Sequence, residues 1–221
     1  MDRDMRNFLL IIVLLVSGTI SAQVSFNAGG SVMKGFSSPW YTGFHAGLEI
    51  PRDDALSFYG RVTHLFHQTA KDSISFNAQA IDFTTTFPSV LTVKGLHSMN
   101  YTIIEGGTRF YLGNGFDFGF AAYGGTNFML ALNKVKVNYD DFDETLYEIQ
   151  PAERVDGGIF GIGAGLLGGV KYSVPRYGTF YFDAGISYLF LVQGTQQNVY
   201  GALHSSLLFT MNLGYRYDIV W

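Results

Sequence analysis

The chain contains no cysteine. An exported protein without cysteine has no disulfide framework, so closure of its own sheet must hold it together. The same absence rules out a lipid-modified cysteine after the N-terminal apolar segment. Charge is also scarce. Asp, Glu, Lys and Arg make up 14% of the 221 residues, with a net charge of −4 and no basic run. That excludes an electrostatic nucleic-acid-binding face. Beyond the N-terminal segment, no stretch reaches the roughly 20 apolar residues of a spanning helix. Yet 48% of the residues are hydrophobic and 16% aromatic. Such proportions suit a protein with much lipid-facing surface, and a β-sandwich comes close.

The N-terminus has a mixed-charge stretch from Asp2 to Arg6, an apolar core from Phe8 to Val16, and small or polar residues from Ser17 to Ala22. This pattern reads as a secretory signal peptide cleaved after Ala22. As a membrane anchor the apolar run is too short. Removing the first 22 of 221 residues leaves 199, enough for one domain, residues 23–221.

The last segment alternates strictly. Leu207, Phe209, Met211, Leu213, Tyr215, Tyr217, Ile219 and Trp221 share one face, while Asn212, Arg216 and Asp218 lie on the other. A period of two with one apolar face marks a β-strand. Eight such strands are expected, near Val24–Lys34, Tyr41–Ile50, Leu56–Gln68, Leu96–Leu112, Phe116–Leu132, Gly157–Ser173, Thr179–Gln193 and His204–Ile219. Connections after the second, fourth and sixth are short and rich in turn-forming residues; Asn114-Gly115 is the strongest hairpin signal. The alternate connections include two long ones, Thr69–Gly95 and Asn133–Asp156. Both long segments still alternate at Ser73–Ala78 and Lys134–Tyr139, predicting two tall hairpins with an acidic tip at Asp140–Glu144.

Face by face, the outward set is apolar, with Phe44, Leu48, Phe58, Ile104, Phe116, Phe118, Leu166 and Phe180 among it. The inward set is polar and charged: Glu49, Glu105, Asp117 and Asp183 against Arg61, Arg109, Lys171 and Arg216. A charged interior inside an apolar exterior inverts a soluble β-sandwich. It predicts a single closed antiparallel transmembrane β-barrel. Eight strands leave room for little more than side chains, so these eight residues are expected to pair and plug the lumen. A narrow path for ions or small hydrophobic solutes is the alternative.

Other motifs are weaker. Gly163-Ala164-Gly165-Leu166-Leu167-Gly168 matches a dinucleotide-binding fingerprint but lies within a strand, with no helix after it. Glycine there is expected to leave space for facing Arg and Tyr side chains. His64 and His67 point to opposite faces of a regular strand. The aromatics near strand ends, including Trp40, Tyr172 and Tyr177, fit interfacial girdles. No metal, cofactor or catalytic set is expected.

In strand pattern, loop asymmetry and terminal aromatic, the chain resembles the small outer-membrane barrels of the OmpA, OmpX and OmpW type. The resemblance implies a Gram-negative outer-membrane location with periplasmic termini, short periplasmic turns and longer extracellular loops. It implies contact with outer-membrane lipids and lipopolysaccharide, and a terminal strand, with Tyr215, Tyr217 and Trp221, read by the barrel-assembly machinery. The implied role is structural or surface-interacting, without enzymatic activity, as a monomer with an envelope or external protein partner. One enzymatic alternative is a lipid A deacylase of the PagL type. There His204-Ser205-Ser206 supplies the His-x-Ser pair and Glu148 or Glu153 the acid.

Overall fold

The computed structural model describes residues 23–35, 39–69, 73–150, 157–194 and 206–219. The expected signal segment, His204, Glu153 and Trp221 lie outside the described residues. Among the described residues ten strands form: β1 (Val24–Gly35), β2 (Trp40–Pro51), β3 (Leu56–Thr69), β4 (Ile74–Ala80), β5 (Val90–Gly113), β6 (Gly119–Tyr139), β7 (Tyr147–Ile149), β8 (Gly157–Val174), β9 (Gly178–Gly194) and β10 (Leu207–Ile219).

Eight of them close into an antiparallel ring in the order β1-β2-β3-β5-β6-β8-β9-β10. The last strand returns to the first, from Val24 opposite Ile219 to Gly35 opposite Leu208. Alternation then sorts the side chains. On β1, Ser25, Asn27, Ser31 and Met33 are buried inside, whereas Phe26 is exposed outside. The outer wall exposes Phe44, Leu48, Phe58, Ile104, Phe128, Leu166, Phe180 and Leu213. A ring without edges satisfies its backbone internally, and its apolar outer wall meets acyl chains instead of water. The fold is a single transmembrane β-barrel.

One end of the barrel carries the short turns and the chain ends of β1 and β10; the other carries the long connections. In the first short turn, Asp53 Oδ1 accepts hydrogen bonds from the amides of Ala55 (2.9 Å) and Leu56 (2.8 Å). The second turn is wider than its sequence suggests. Gly113, Gly115 and Gly119 all adopt positive φ (93°, 72° and 50°), so β6 begins at Gly119 and not at Phe116. The extra residues break the alternation. Phe116 turns inward and is 1% exposed, correcting its outward placement, while Asp117 faces out.

The long connections do not make two separate hairpins. They build one four-stranded sheet in the order β6-β5-β4-β7. β5 and β6 pair from Gly113 opposite Ala121 to Gly95 opposite Tyr139. A bulge between Leu65 and Gln68 ends the regular β3–β5 register, and β4 takes over the same edge of β5 from Gly95 upward. β5 has 24 residues, against the roughly 9–11 that a tilted strand needs to cross the hydrocarbon. About half of it therefore stands clear of the membrane. The projection has its own core of Ala78, Ala80, Val93, Tyr147 and Ile149, with Leu91, Tyr139 and Phe142 packed against it. At its tip, the Asp82 carboxylate accepts bonds from the Thr84 amide (2.8 Å), Thr84 Oγ1 (2.7 Å) and Thr85 Oγ1 (2.7 Å).

Two outcomes are expected. Ala78→Asp places an unpaired charge in the projection's core, at a residue with no exposure. It should make residues 81–89 sensitive to protease while the heat-modifiable gel shift of the barrel persists; loss of that shift would mean projection and barrel do not separate. The Thr84 and Thr85 bonds hold the Asp82 carboxyl down to a pKa of about 2. A depressed folded-state pKa stabilises above the unfolded carboxylate value and loses that stabilisation as pH falls through the folded one. The Thr84 amide resonance should therefore move near pH 2, not near pH 4.

Candidate functional site

Among the described residues, charged and polar side chains are most concentrated in the lumen. Inward positions at the short-turn end are the ones where alternation places acids and bases on facing strands. At the centre Asp183, on β9, is fully buried. Its carboxylate accepts from Asn212 Nδ2 (2.6 Å), Arg109 Nη2 (3.0 Å), Arg61 Nη1 (3.2 Å) and Tyr123 OH (3.3 Å). Arg61 also pairs through Nε with Glu105, whose other oxygen accepts from Asn127 Nδ2 at 2.9 Å.

Glu49, on β2, forms the second node. It accepts from Arg109 Nη1 (2.7 Å), Ser57 Oγ (2.5 Å) and Tyr111 OH (2.5 Å), and lies 3.5 Å from Arg216 Nη1. Arg109 bridges the two nodes. Its guanidinium sits 4.5 Å from the Tyr59 ring centroid, 5.0 Å from Tyr123 and 5.5 Å from Tyr181. Three ring faces surround the cation and supply the attraction that its Nε, which has no hydrogen-bond partner, does not.

The lower edge is closed by Phe116. Arg216 lies 3.6 Å over its ring and donates through Nη2 to its carbonyl at 2.8 Å. Lys171 Nζ donates to the same carbonyl (2.9 Å), to the Phe118 carbonyl (3.2 Å) and to Ser173 Oγ (2.8 Å).

Seven of the eight sequence-predicted charges are thus buried in the lumen: Glu49, Arg61, Glu105, Arg109, Lys171, Asp183 and Arg216. Asp117 is not among them. The wide turn carries it outside the strand alternation, where it is exposed and accepts from Gln23 Nε2 at 3.1 Å. Asp218 stands in its place, 2.9 Å from Arg216 Nε. Four acids and four bases remain balanced. Asp218 was readable, since it shares the inward parity of Asn212 and Arg216. Phe116 was not, because three glycines of positive φ hide it from any period-of-two reading.

Midway up, Ser31 Oγ donates to Asn212 Oδ1 (2.7 Å) and lies 2.7 Å from His45 Nδ1, while His45 Nε2 lies 2.6 Å from Tyr181 OH. Asn212 Nδ2 is spent on Asp183, which fixes its Oδ1 as the acceptor for Ser31. The Ser31 proton is therefore committed away from His45, and Nδ1–H donates to the serine. This Ser–His pair is wired for structure, not for removing the serine proton.

The other half of the lumen departs from a wholly polar interior. Met33, Tyr41, Leu65, Met99, Tyr101, Ile103, Met129, Ile159, Leu189 and Leu208 are all buried and form one apolar cluster that continues into the projection through Val135, Val137 and Phe76. A void between the polar and apolar layers, lined by Ser31, Met33, Thr63, Ile103, Glu105 and Asn212 among others, has about 10 Å³. That is room for about one water. Glycine provides the clearance for the rings: a Cβ at Gly169 would lie 2.6 Å from the Tyr123 ring, and one at Gly214 2.5 Å from Tyr181 OH.

On the outer wall near the short turns, Tyr172, Tyr177 and Tyr217 are exposed, and the Tyr215 hydroxyl donates to the Tyr177 carbonyl. Trp40 stands exposed at the opposite end with Lys34 Nζ 5.2 Å over its ring. Glu148 is exposed on β7. His67 joins Phe66 on the exposed side because the β3 bulge resets the alternation.

No family model and no curated protein matches the chain. Its fold is similar to those of small outer-membrane β-barrel proteins. A major outer membrane protein from Thermus thermophilus is 13% identical with a TM-score of 0.49, over 90% of this chain and 100% of that one. Neisserial surface protein A is 13% identical with a TM-score of 0.47, over 90% and 97%. OprG of Pseudomonas aeruginosa is 10% identical with a TM-score of 0.44, over 89% and 96%. At such identities and scores, the barrel assignment rests on the closed hydrogen-bonded ring of this chain.

Asp183→Asn keeps the shape and removes the charge that two arginines share. Breaking a buried ion pair on one side costs about 3–5 kcal/mol. The variant should unfold from micelles at clearly lower urea, followed by tryptophan fluorescence; a loss under about 1 kcal/mol would mean the network contributes little.

Proposed function

We propose that the chain is an integral outer-membrane barrel with periplasmic termini, without enzymatic activity, whose lumen is sealed and whose projecting sheet is an extracellular contact surface. The observation that carries this reading is the double filling of the lumen. Eight charged side chains occupy the short-turn half and an apolar cluster the other. An ion crossing would meet paired charges and then a stretch lined mainly by apolar side chains, with few polar groups, Asn133 among them, to replace its hydration. Placement of the long projection outside follows from the asymmetry of small barrels, whose short turns are periplasmic. The four-stranded projection, with a core of its own, is far more structure than a loop needs in order to close a barrel.

A lipid A hydrolase reading has little to stand on among the described residues. The buried Ser31–His45 pair is wired the wrong way, and Glu148 faces solvent on β7.

Purified barrel in planar bilayers should give no conductance above the lipid baseline, and reproducible unitary steps would overturn the sealed lumen. Deleting residues 82–88 should leave the heat-modifiable shift intact while changing adhesion or envelope sensitivity of cells carrying the protein. An unchanged phenotype with intact assembly would remove the contact-surface role.

A further inference from the structure

The distal tip of the projection combines two features that water-exposed loops seldom share. It is apolar: Phe87 is 94% exposed, Phe83 60%, Ile81 58% and Leu146 44%. It also carries Asp82, Asp140, Asp141, Asp143 and Glu144, all exposed, with no Lys or Arg in 81–89 or 140–146. The two segments form one surface. The Ile81 amide donates to the Leu146 carbonyl at 2.9 Å, and Tyr147 OH donates to the Pro88 carbonyl at 3.0 Å. The backbone is held from within by carboxylate caps. Asp82 ties Thr84 and Thr85, and Asp143 Oδ1 accepts from the Thr145 amide (2.9 Å) and Oγ1 (2.6 Å).

We propose that this tip docks a basic protein surface bearing an aromatic or apolar cleft, with Phe83 and Phe87 as anchors and the carboxylates as a surrounding acidic rim. The proposal rests on the contact-surface reading and names the chemistry of the partner. Aromatic side chains left largely exposed are what interface anchors look like, and a charged rim steers the encounter. Charge decides between occupants. Asp82, Asp141, Asp143 and Glu144 have no cation in their own segments, and only Asp140, whose amide donates to the Lys94 carbonyl at 2.7 Å, stands beside one. Such a rim opposes an anionic membrane surface and makes burial in any bilayer costly. The cap bonds to Asp82 and Asp143 hold both carboxyls below the usual carboxylate range, so the rim stays negative in mildly acidic surroundings. A second copy standing parallel in the same membrane fits less well, because its acidic tip lies level with this one, while its exposed lysines Lys94, Lys134 and Lys136 lie lower on the wall of the projection.

The test uses the full barrel in uncharged detergent micelles, immobilised, with three soluble peptides: alternating Lys-Tyr, alternating Lys-Ser and alternating Glu-Tyr. Lys-Tyr should bind in a salt-sensitive way, about tenfold more tightly than Lys-Ser. The double variant Phe83→Ser/Phe87→Ser and the triple variant Asp140→Asn/Asp141→Asn/Glu144→Gln should each weaken it by about tenfold or more, with the heat-modifiable shift showing that both remain folded. Equal binding of Lys-Ser, preference for Glu-Tyr, or indifference to either variant would overturn the proposal. So would co-flotation of the wild type, but not the phenylalanine variant, with added vesicles, or self-association abolished by the same variant. If deletion of residues 82–88 alters the cellular phenotype while Lys-Tyr fails to bind, the contact surface stands and its basic partner falls.

Discussion

Everything inside this barrel depends on giving Asp183 enough donors. A carboxylate with no exposure is tolerable only when its lone pairs are filled and its charge is met. The donors come from β3, β5, β6 and β10: Arg61, Arg109, Tyr123 and Asn212. With its own strand, five of the eight ring strands meet at one side chain. Satisfying Asp183 therefore fixes both the diameter and the stagger of the ring, because a shift of one strand by one residue would turn its donor to lipid. Arg109 extends the constraint to β2 through Glu49, and Glu49 extends it to the mouth through Tyr111 and Arg216. In a chain without disulfides, this network supplies the cross-links.

The network also explains where glycine is spent. Tyr123 reaches Asp183, and Tyr181 reaches His45, only because Gly169 and Gly214 leave the space their rings occupy. The letters that spell a nucleotide fingerprint, Gly163 to Gly168, lie on the same strand as Gly169, and the inward ones are clearances of the same kind. A Cβ at Gly165 would come within 2.3 Å of Ser187 Oγ. One strand gives up side chains so that its neighbours can cross the lumen.

Much of this was legible in the sequence, and the failures have physical causes. A period of two identifies faces reliably within a strand, which is why Glu49, Arg61, Glu105, Arg109, Lys171, Asp183 and Arg216 could be placed inside from the pattern alone. The same rule fails wherever the backbone leaves the strand region. Gly113, Gly115 and Gly119 with positive φ displaced Phe116 inward and Asp117 outward. The bulge after Leu65 did the same to His67. The apolar half of the lumen went unread for another reason. Met33, Leu65, Met129 and Leu208 have the inward parity, but parity gives the face a side chain takes and not the polarity of what it meets there. β7 could not be foreseen from its three residues, because its pairing with β4 is decided by the packing of Tyr147 and Ile149 on the projection's core.

The division of the molecule into barrel and projection is less sharp than the membrane boundary suggests. β5 and β6 belong to both, running unbroken from the short turn to Tyr139. The apolar cluster spans both as well, from Met33 and Leu208 in the lumen to Val137 and Phe76 above it. A surface mounted on continuous strands and a continuous core loses little conformational freedom when something binds to it, whereas a flexible loop must be ordered at each encounter. On the reading proposed for this chain, the apolar lumen has two consequences from one set of residues. It removes the space through which an ion would pass, and it anchors the base of the projection rigidly enough for the tip to be presented in one arrangement.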